Sequence, residues 1–258
     1  RTSKRIESIV EKMGKELIIN IHDDVNSQEQ FLSKLLHDGN TDALIIGSAR
    51  KSVYGVKLYK RLAEQIPTVF CHDIYDTEIP VITIDNYKAG RLAAEHLLKF
   101  SNKKIGVVLD ENGYKSDDLK LKGFLDKLAE SNSRSRCVVV RNSFRSKGAT
   151  FEDGYNFGTN LDLNSSDIDA AFASNDEVAR GFSQALIKKG YKNIDSLTLL
   201  GFGDIKSTKT QKYNFATIGI EGKYLTKAYE SFIQKTCNRT SKDVPLQDSL
   251  LQPKLMDR

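Results

Sequence analysis

The chain has 258 residues, enough for one or two domains with a sizeable core. Hydrophobic residues make up 39% and charged ones 28%, which excludes a disordered chain and suits an ordinary globular protein. The formal net charge of +5 is mild, and a solvated Lys-rich surface accounts for it as well as a nucleic-acid contact would.

No apolar run nears the ~18 residues a membrane span needs. Arg1–Glu16 is a charged helical pattern without the apolar centre of a secretion signal. Cys71, Cys137 and Cys237 are far apart and odd in number, and no CxxC occurs. Neither a disulfide framework nor a zinc site is indicated, and a reducing, cytoplasmic setting is expected. The chain starts at Arg1 rather than Met, as a fragment would.

Short apolar runs then alternate with amphipathic stretches. Glu16–Ile21 (ELIINI) is dense in β-branched residues and predicts a strand. Ser27–Leu36 predicts a helix with Ser27 as N-cap. Strands follow at Ala43–Gly47, Pro67–Cys71 and Val81–Ile84, with a helix near Val56–Gln65 and another at Tyr87–Lys99. The second half predicts strands at Lys104–Leu109, Cys137–Val140, Ala170–Ala173, Leu197–Phe202, Phe215–Ile220 and Ser249–Leu251. Its helices are Leu119–Ala129, Glu152–Asn160, Asp176–Lys189 and Tyr224–Thr236. Apolar strands without polar alternation are buried on both faces, and repeated βα order predicts an α/β fold of doubly wound parallel sheets. The strands are too many for one small sheet, so two lobes are expected.

In such sheets ligands sit beyond the carboxyl ends of strands, where strand order reverses. His22 and Asp23, Ser48, His72 and Asp73, Asp85 and Asn86, Asp110, Asn175 and Asp176, and Asp204 all follow predicted strands. Such a set suits hydrogen bonding to a polyhydroxylated ligand. Asp176 is expected to cap its helix. Cofactor and catalytic signatures are missing. There is no GxGxxG after a strand, no GxxxxGK[ST] and no GxSxG. Gly201-Phe202-Gly203 lacks a third glycine, and Asp204 would repel a phosphate. Cys71 and His72 are adjacent on a strand and point to opposite faces, so Cys71 reads as core. Asp23-Asp24 and Asp117-Asp118 read as solvated turns or caps rather than metal ligands. No cofactor, no metal and no catalytic residue is expected.

Several segments in order resemble the LacI/GalR regulator family. Ile66-Pro67-Thr68-Val69-Phe70 resembles its IPVVF strand, and Ile84-Asp85-Asn86-Tyr87-Lys88-Ala89-Gly90 its DNxxAG motif. Gly123-Phe124 with Leu128 resembles GFxxAL, and Ala171–Gly181 matches AIFAxNDxxAxG closely. Leu200-Gly201-Phe202-Gly203-Asp204 resembles IGFDD, and Ala216-Thr217-Ile218 resembles LTTI. The order and spacing across about 200 residues make the match specific.

The resemblance implies two periplasmic-binding-protein-like type I lobes. The expected bounds are 1–101 with 219–239, and 102–218 with 240–258. It implies a small sugar-like effector in the cleft between lobes, a homodimer, and operator DNA bound through a helix-turn-helix. That part, a hinge helix and a first strand precede the stretch that Arg1–Gly14 resembles, so the natural protein is expected to extend upstream. The ligand-binding residues implied are Asp85, Asn175, Lys120, Asp204, His22, Ser48 and Phe144, with Phe151 as the other candidate aromatic wall. Lys120 falls where the family has a ligand-gripping Arg, and a point charge replaces a planar fork. Gly203 falls where the family has the first Asp of GFDD. The alternative for Lys120 is a solvated helix face. The rival functions are a sugar-transport receptor of the same fold and a Rossmann-like small-molecule enzyme.

Overall fold

A computed structural model describes residues 2–22, 25–47, 53–71, 78–101, 103–110, 115–133, 136–142, 150–162, 167–191, 196–203, 215–237 and 248–256. The chain divides into two compact units, Arg1–Ile84 with Glu221–Leu251 and Asp85–Ile220 with Gln252–Arg258.

The first unit holds α1 (Thr2–Lys12), α2 (Val25–Asp38), β1 (Leu44–Gly47), α3 (Val53–Gln65), β2 (Thr68–Cys71), β3 (Val81–Ile84), α8 (Gly222–Cys237) and β9 (Ser249–Leu251). Its described strands run β1-β2-β3-β9, all parallel. Alternate residues serve opposite faces, as strand geometry requires. Val69, Cys71 and Ile82 meet Ile6, Ile9 and Val10 of α1 and Tyr229, Phe232 and Ile233 of α8. Ile46 and Phe70 meet Leu32 of α2 and Tyr59 and Leu62 of α3.

The second unit holds α4 (Asn86–Leu98), β4 (Lys104–Asp110), α5 (Lys115–Glu130), β5 (Cys137–Asn142), α6 (Phe151–Asn160), β6 (Ile168–Ala173), α7 (Asp176–Lys188), β7 (Thr198–Phe202), β8 (Ala216–Gly219) and β10 (Lys254–Met256). Its sheet runs β10-β8-β7-β6-β4-β5, parallel except for β10, which is antiparallel to β8. Ile105, Val107, Leu109, Ala170, Phe172 and Leu200 face α4 and α5. Val108, Ala171, Ala173 and Leu199 face α6 and α7. Burial on both faces is why these strands read as continuous apolar runs.

The two helix pairs cross through glycine. A Cβ on Gly90 would overlap the Lys120 carbonyl and stand 2.9 Å from the Phe124 nitrogen; one on Gly123 would stand 2.9 Å from the Tyr87 carbonyl carbon. The α6–α7 crossing repeats the device, with Gly154 against Val178 and Gly181 against Phe151. Backbone therefore packs on backbone, and helices come closer than any Cβ would permit. At the amino ends of the strands, Ser101, Lys103, Arg136 and Asp169 interlock. The Ser101 hydroxyl donates to Asp169 at 2.5 Å, and Arg136 Nε donates to the Lys103 carbonyl at 2.7 Å.

Several expectations change. Glu16–Ile21 is not a strand: the segment is irregular, and Ile18, Ile19 and Ile21 are 75%, 52% and 89% exposed. β-Branched density favours a strand, but a ladder needs a neighbour, and β1 pairs only with β2 among the described strands. Helix α2 begins at Val25, so Ser27 lies inside it rather than at its cap. The expected boundary at residues 101 and 102 moves to Ile84–Asp85, because α4 packs on α5 through Gly90 and Gly123. Residues 249–251 join the first unit as β9 on β3, not the second; only the stretch from Gln252 onward belongs there.

Candidate functional site

In the second unit the chain passes from β4 to β5 on one side, then returns past β4 to β6 and continues to β7 and β8 on the other. Strand order therefore reverses between β4 and β6, and a ligand crevice belongs at the carboxyl ends of these two strands. Ser174 follows β6 there, and its N–H donates to the Val108 carbonyl of β4 at 3.0 Å. The Ser174 hydroxyl is buried and has no partner among the described residues. A buried hydroxyl without a partner is uncommon in folded proteins.

Asn175 comes next, in extended backbone, and caps α7: its Oδ1 accepts the Val178 N–H at 2.8 Å. Asp176 does not cap the helix as expected. It is the first helical residue, only 1% exposed, and accepts from the Thr217 hydroxyl of β8 at 2.6 Å. The reason is the crowded strand beside it. A Cβ on Gly201 of β7 would overlap the Asp176 carboxylate, so glycine makes its seat. Asp85 caps α4 in the same manner as Asn175, with Oδ1 accepting the Lys88 N–H at 2.8 Å.

Lys120 rises from α5 to the switch point. It is 4% exposed, which rules out the solvated-face alternative. Its ammonium pairs with Asp117 at 2.8 Å, donates to the Ser174 carbonyl at 3.1 Å, and lies 4.3 Å from the centre of the Phe202 ring. Asp117 is itself 7% exposed, contrary to the expectation of a solvated turn residue; helix α5 starts at Lys115 and brings it one turn before Lys120. Gly203 follows β7 with φ of 118°, and its N–H donates to the Ile218 carbonyl at 2.8 Å.

The fold thus joins Lys120 to the carbonyl next to Asn175, and sets Asp85 at the start of α4 in the same unit. His22 falls in the first unit, 5.2 Å ring to ring from Phe31, with its Nε2 buried and unpartnered among the described residues. Phe151 opens α6, stacks with Tyr155 and carries the Arg180 guanidinium 4.7 Å above its ring. Ser48, Asp204 and Phe144, together with His72 and Asp73, lie outside the described residues.

Sequence reasoning missed Ser174 and Asp117. The signal for Asp117 was its spacing of three from Lys120, hidden by starting the helix too late. Ser174 carried no signal beyond standing before Asn175 at a strand end. Cys71 is core, with burial pushing its thiol up to about 11. Among the described residues no three His, Cys, Asp or Glu gather as a metal site, and no helix is long and apolar enough to cross a membrane.

The model of one family, described as periplasmic binding proteins and the sugar binding domain of the LacI family, matches residues 4–216. The NTD biosynthesis operon regulator NtdR of Bacillus subtilis is 23% identical over 172 residues, covering 66% of this chain and 50% of that protein. The HTH-type transcriptional regulator DegA of the same organism is 25% identical, covering 78% of this chain and 58% of that protein. The chain therefore spans about half the length of the curated relatives it matches. A LacI family transcriptional regulator from Enterococcus faecium, solved with bound ribose, superposes with a TM-score of 0.82 at 20% identity, covering 100% of this chain and 91% of that one. The likeness shows the type I periplasmic-binding-protein fold.

Proposed function

The chain belongs to the family of periplasmic binding proteins and LacI-family sugar-binding domains, and from that premise we propose that it is the effector-binding core of a LacI/GalR-type transcription regulator. It takes a small sugar-like ligand and catalyses nothing. The observation that carries this reading is the Ser174 hydroxyl, buried and without a partner among the described residues, at the β4–β6 switch point beside the capping Asn175. A hydroxyl and an amide each donate and accept, which is what alternating sugar hydroxyls require.

Ser174, Asn175 and Asp85 are the proposed contacts. His22, Ser48, Asp204 and Phe144 extend the same proposal. The regulator of the superposed structure holds ribose, and the relatives are named as transcriptional regulators, which favours effector sensing over transport. The domain would work in the cytoplasm as a homodimer, with operator DNA held by a part of the natural protein outside this chain. A ligand that binds one arrangement of the regulator better than another biases DNA affinity by that difference.

Calorimetry and thermal shift against D-ribose, other neutral sugars and nucleosides test the reading. Asn175→Ser and Asp85→Ser keep a capping oxygen and remove the amide or the carboxylate. The expected result is a saturable ligand whose affinity falls about 10-fold in Asp85→Ser, the scale of one charge-assisted hydrogen bond, with the melting temperature nearly unchanged. No ligand in the panel, or unaltered affinity in both variants, would overturn it. Turnover of any panel sugar by the pure protein would move the assignment to an enzyme.

A further inference from the structure

We infer that the Lys120–Asp117 ion pair is a specificity latch that makes this site select neutral ligands and refuse anionic ones. The inference rests on the effector-site reading above and goes further, to the class of ligand.

Lys120 is the one buried basic side chain among the described residues, so it is the cation best placed to hold an anion at the switch point. A buried cation beside a ligand crevice ordinarily marks a carboxylate or phosphate site. Here the ammonium is already spent. It has three N–H groups. One faces Asp117 at 2.8 Å, one the Ser174 carbonyl at 3.1 Å, and the third side of the charge lies over Phe202 at 4.3 Å. Asp117 cancels its charge within the protein, and both partners are more than nine-tenths buried. An entering anion would have to displace Asp117 and leave that carboxylate buried without a counter-ion, a heavy cost. Asp85, the other proposed contact, is itself a carboxylate and repels anions. Lys120 is therefore a positioning residue. It ties α5 to the end of β6 and sets the backbone from which Ser174 and Asn175 meet the ligand.

Matched probe pairs test this: D-ribose against D-ribose 5-phosphate, and D-glucose against D-glucuronate, by calorimetry on the intact protein. A neutral sugar should bind, and its anionic counterpart at least 10-fold more weakly. Asp117→Asn keeps the shape and frees the charge, so it should raise affinity for the anionic probe at least 10-fold while changing that for the neutral one less. Tighter binding of an anionic probe by the unaltered protein, or an anionic preference untouched by Asp117→Asn, would overturn the inference. A ligand-free measurement stands apart from the effector reading. In lysine-labelled protein, Lys120 should give an ammonium nitrogen signal protected from exchange, lost in Asp117→Asn. The paired replacement Lys120→Met with Asp117→Leu should melt above the single Asp117→Leu. A rapidly exchanging ammonium, or a paired variant no better than the single one, refutes the latch even if no sugar binds. A protected ammonium with no probe bound, neutral or anionic, overturns the effector reading and the latch's role in selection with it, and leaves only the buried ion pair.

Discussion

Replacing Gly90 by alanine sets two effects against each other. Alanine in place of glycine inside a helix stabilises by about 1 kcal/mol through lost chain entropy. At this position, however, the new Cβ would overlap the Lys120 carbonyl oxygen and stand 2.8 Å from its carbon. Carbon atoms rest roughly 3.5–4.0 Å apart, so α4 and α5 must separate by more than about half an ångström. Both atoms struck are backbone, which no rotamer change can move aside. The separation loosens the core beneath, where Ala89, Ala93, Leu97, Phe124 and Leu128 are fully buried. Overpacking of this kind typically costs about 1–3 kcal/mol, and more where backbone is displaced. We expect the clash to win, with a net loss of about 2 kcal/mol. The chain has no tryptophan, so urea unfolding followed by far-ultraviolet circular dichroism is the assay. Gly47→Ala serves as the control, because nothing lies within 4 Å of a Cβ there. A Gly90→Ala protein as stable as the original would refute the backbone-contact account of the α4–α5 crossing.

Gly203→Asp restores the carboxylate that the resembling family carries, but the φ of 118° at Gly203 is one that side chains rarely adopt; a loss of about 1–3 kcal/mol is expected in urea unfolding, and an unchanged midpoint would count against it. Thr217→Val removes a donor from the buried Asp176 carboxylate and should cost about 1–3 kcal/mol by the same assay; equal stability would mean the bond contributes nothing. Burial pushes the thiols of Cys71 and Cys137 from about 9 up to about 11. The folded state thus holds these protons more tightly than the unfolded one, so their contribution is full below pH 9 and is lost as pH rises toward 11. Both should resist a thiol reagent at pH 8 until the protein is unfolded, and prompt labelling of the native protein at either position would contradict the burial.

The parallel β-strands of the second unit were legible because their two buried faces leave apolar runs, as in Ala170–Ala173, whereas the antiparallel edge strand β10 was not read. Both capping residues were legible as positions, since Asp85 and Asn175 each follow a strand and precede an apolar helix. Their neighbour Asp176 was misjudged as the cap, because either residue can cap and only the packing against Thr217 and Gly201 separates them. Glu16–Ile21 shows the opposite failure. Its propensity is that of a strand, yet among the described strands nothing pairs with it, and three isoleucines stand in solvent.

By itself the amino-acid sequence determined the α/β class, most of the order of elements, the family and the ends of strands at which hydrogen-bonding groups collect. These depend on periodicity, capping and motif order, which act over a few residues or are counted along the chain. The tertiary structure alone decided that Lys120 is buried against Asp117 and the end of β6, that the Ser174 hydroxyl is buried without a partner among the described residues, and that α4 belongs with α5. Whether a lysine is buried and whether a Cβ has room depend on neighbours dozens of residues away, such as the Ser174 carbonyl on Lys120 or the Lys120 carbonyl under Gly90. No local pattern carries that information.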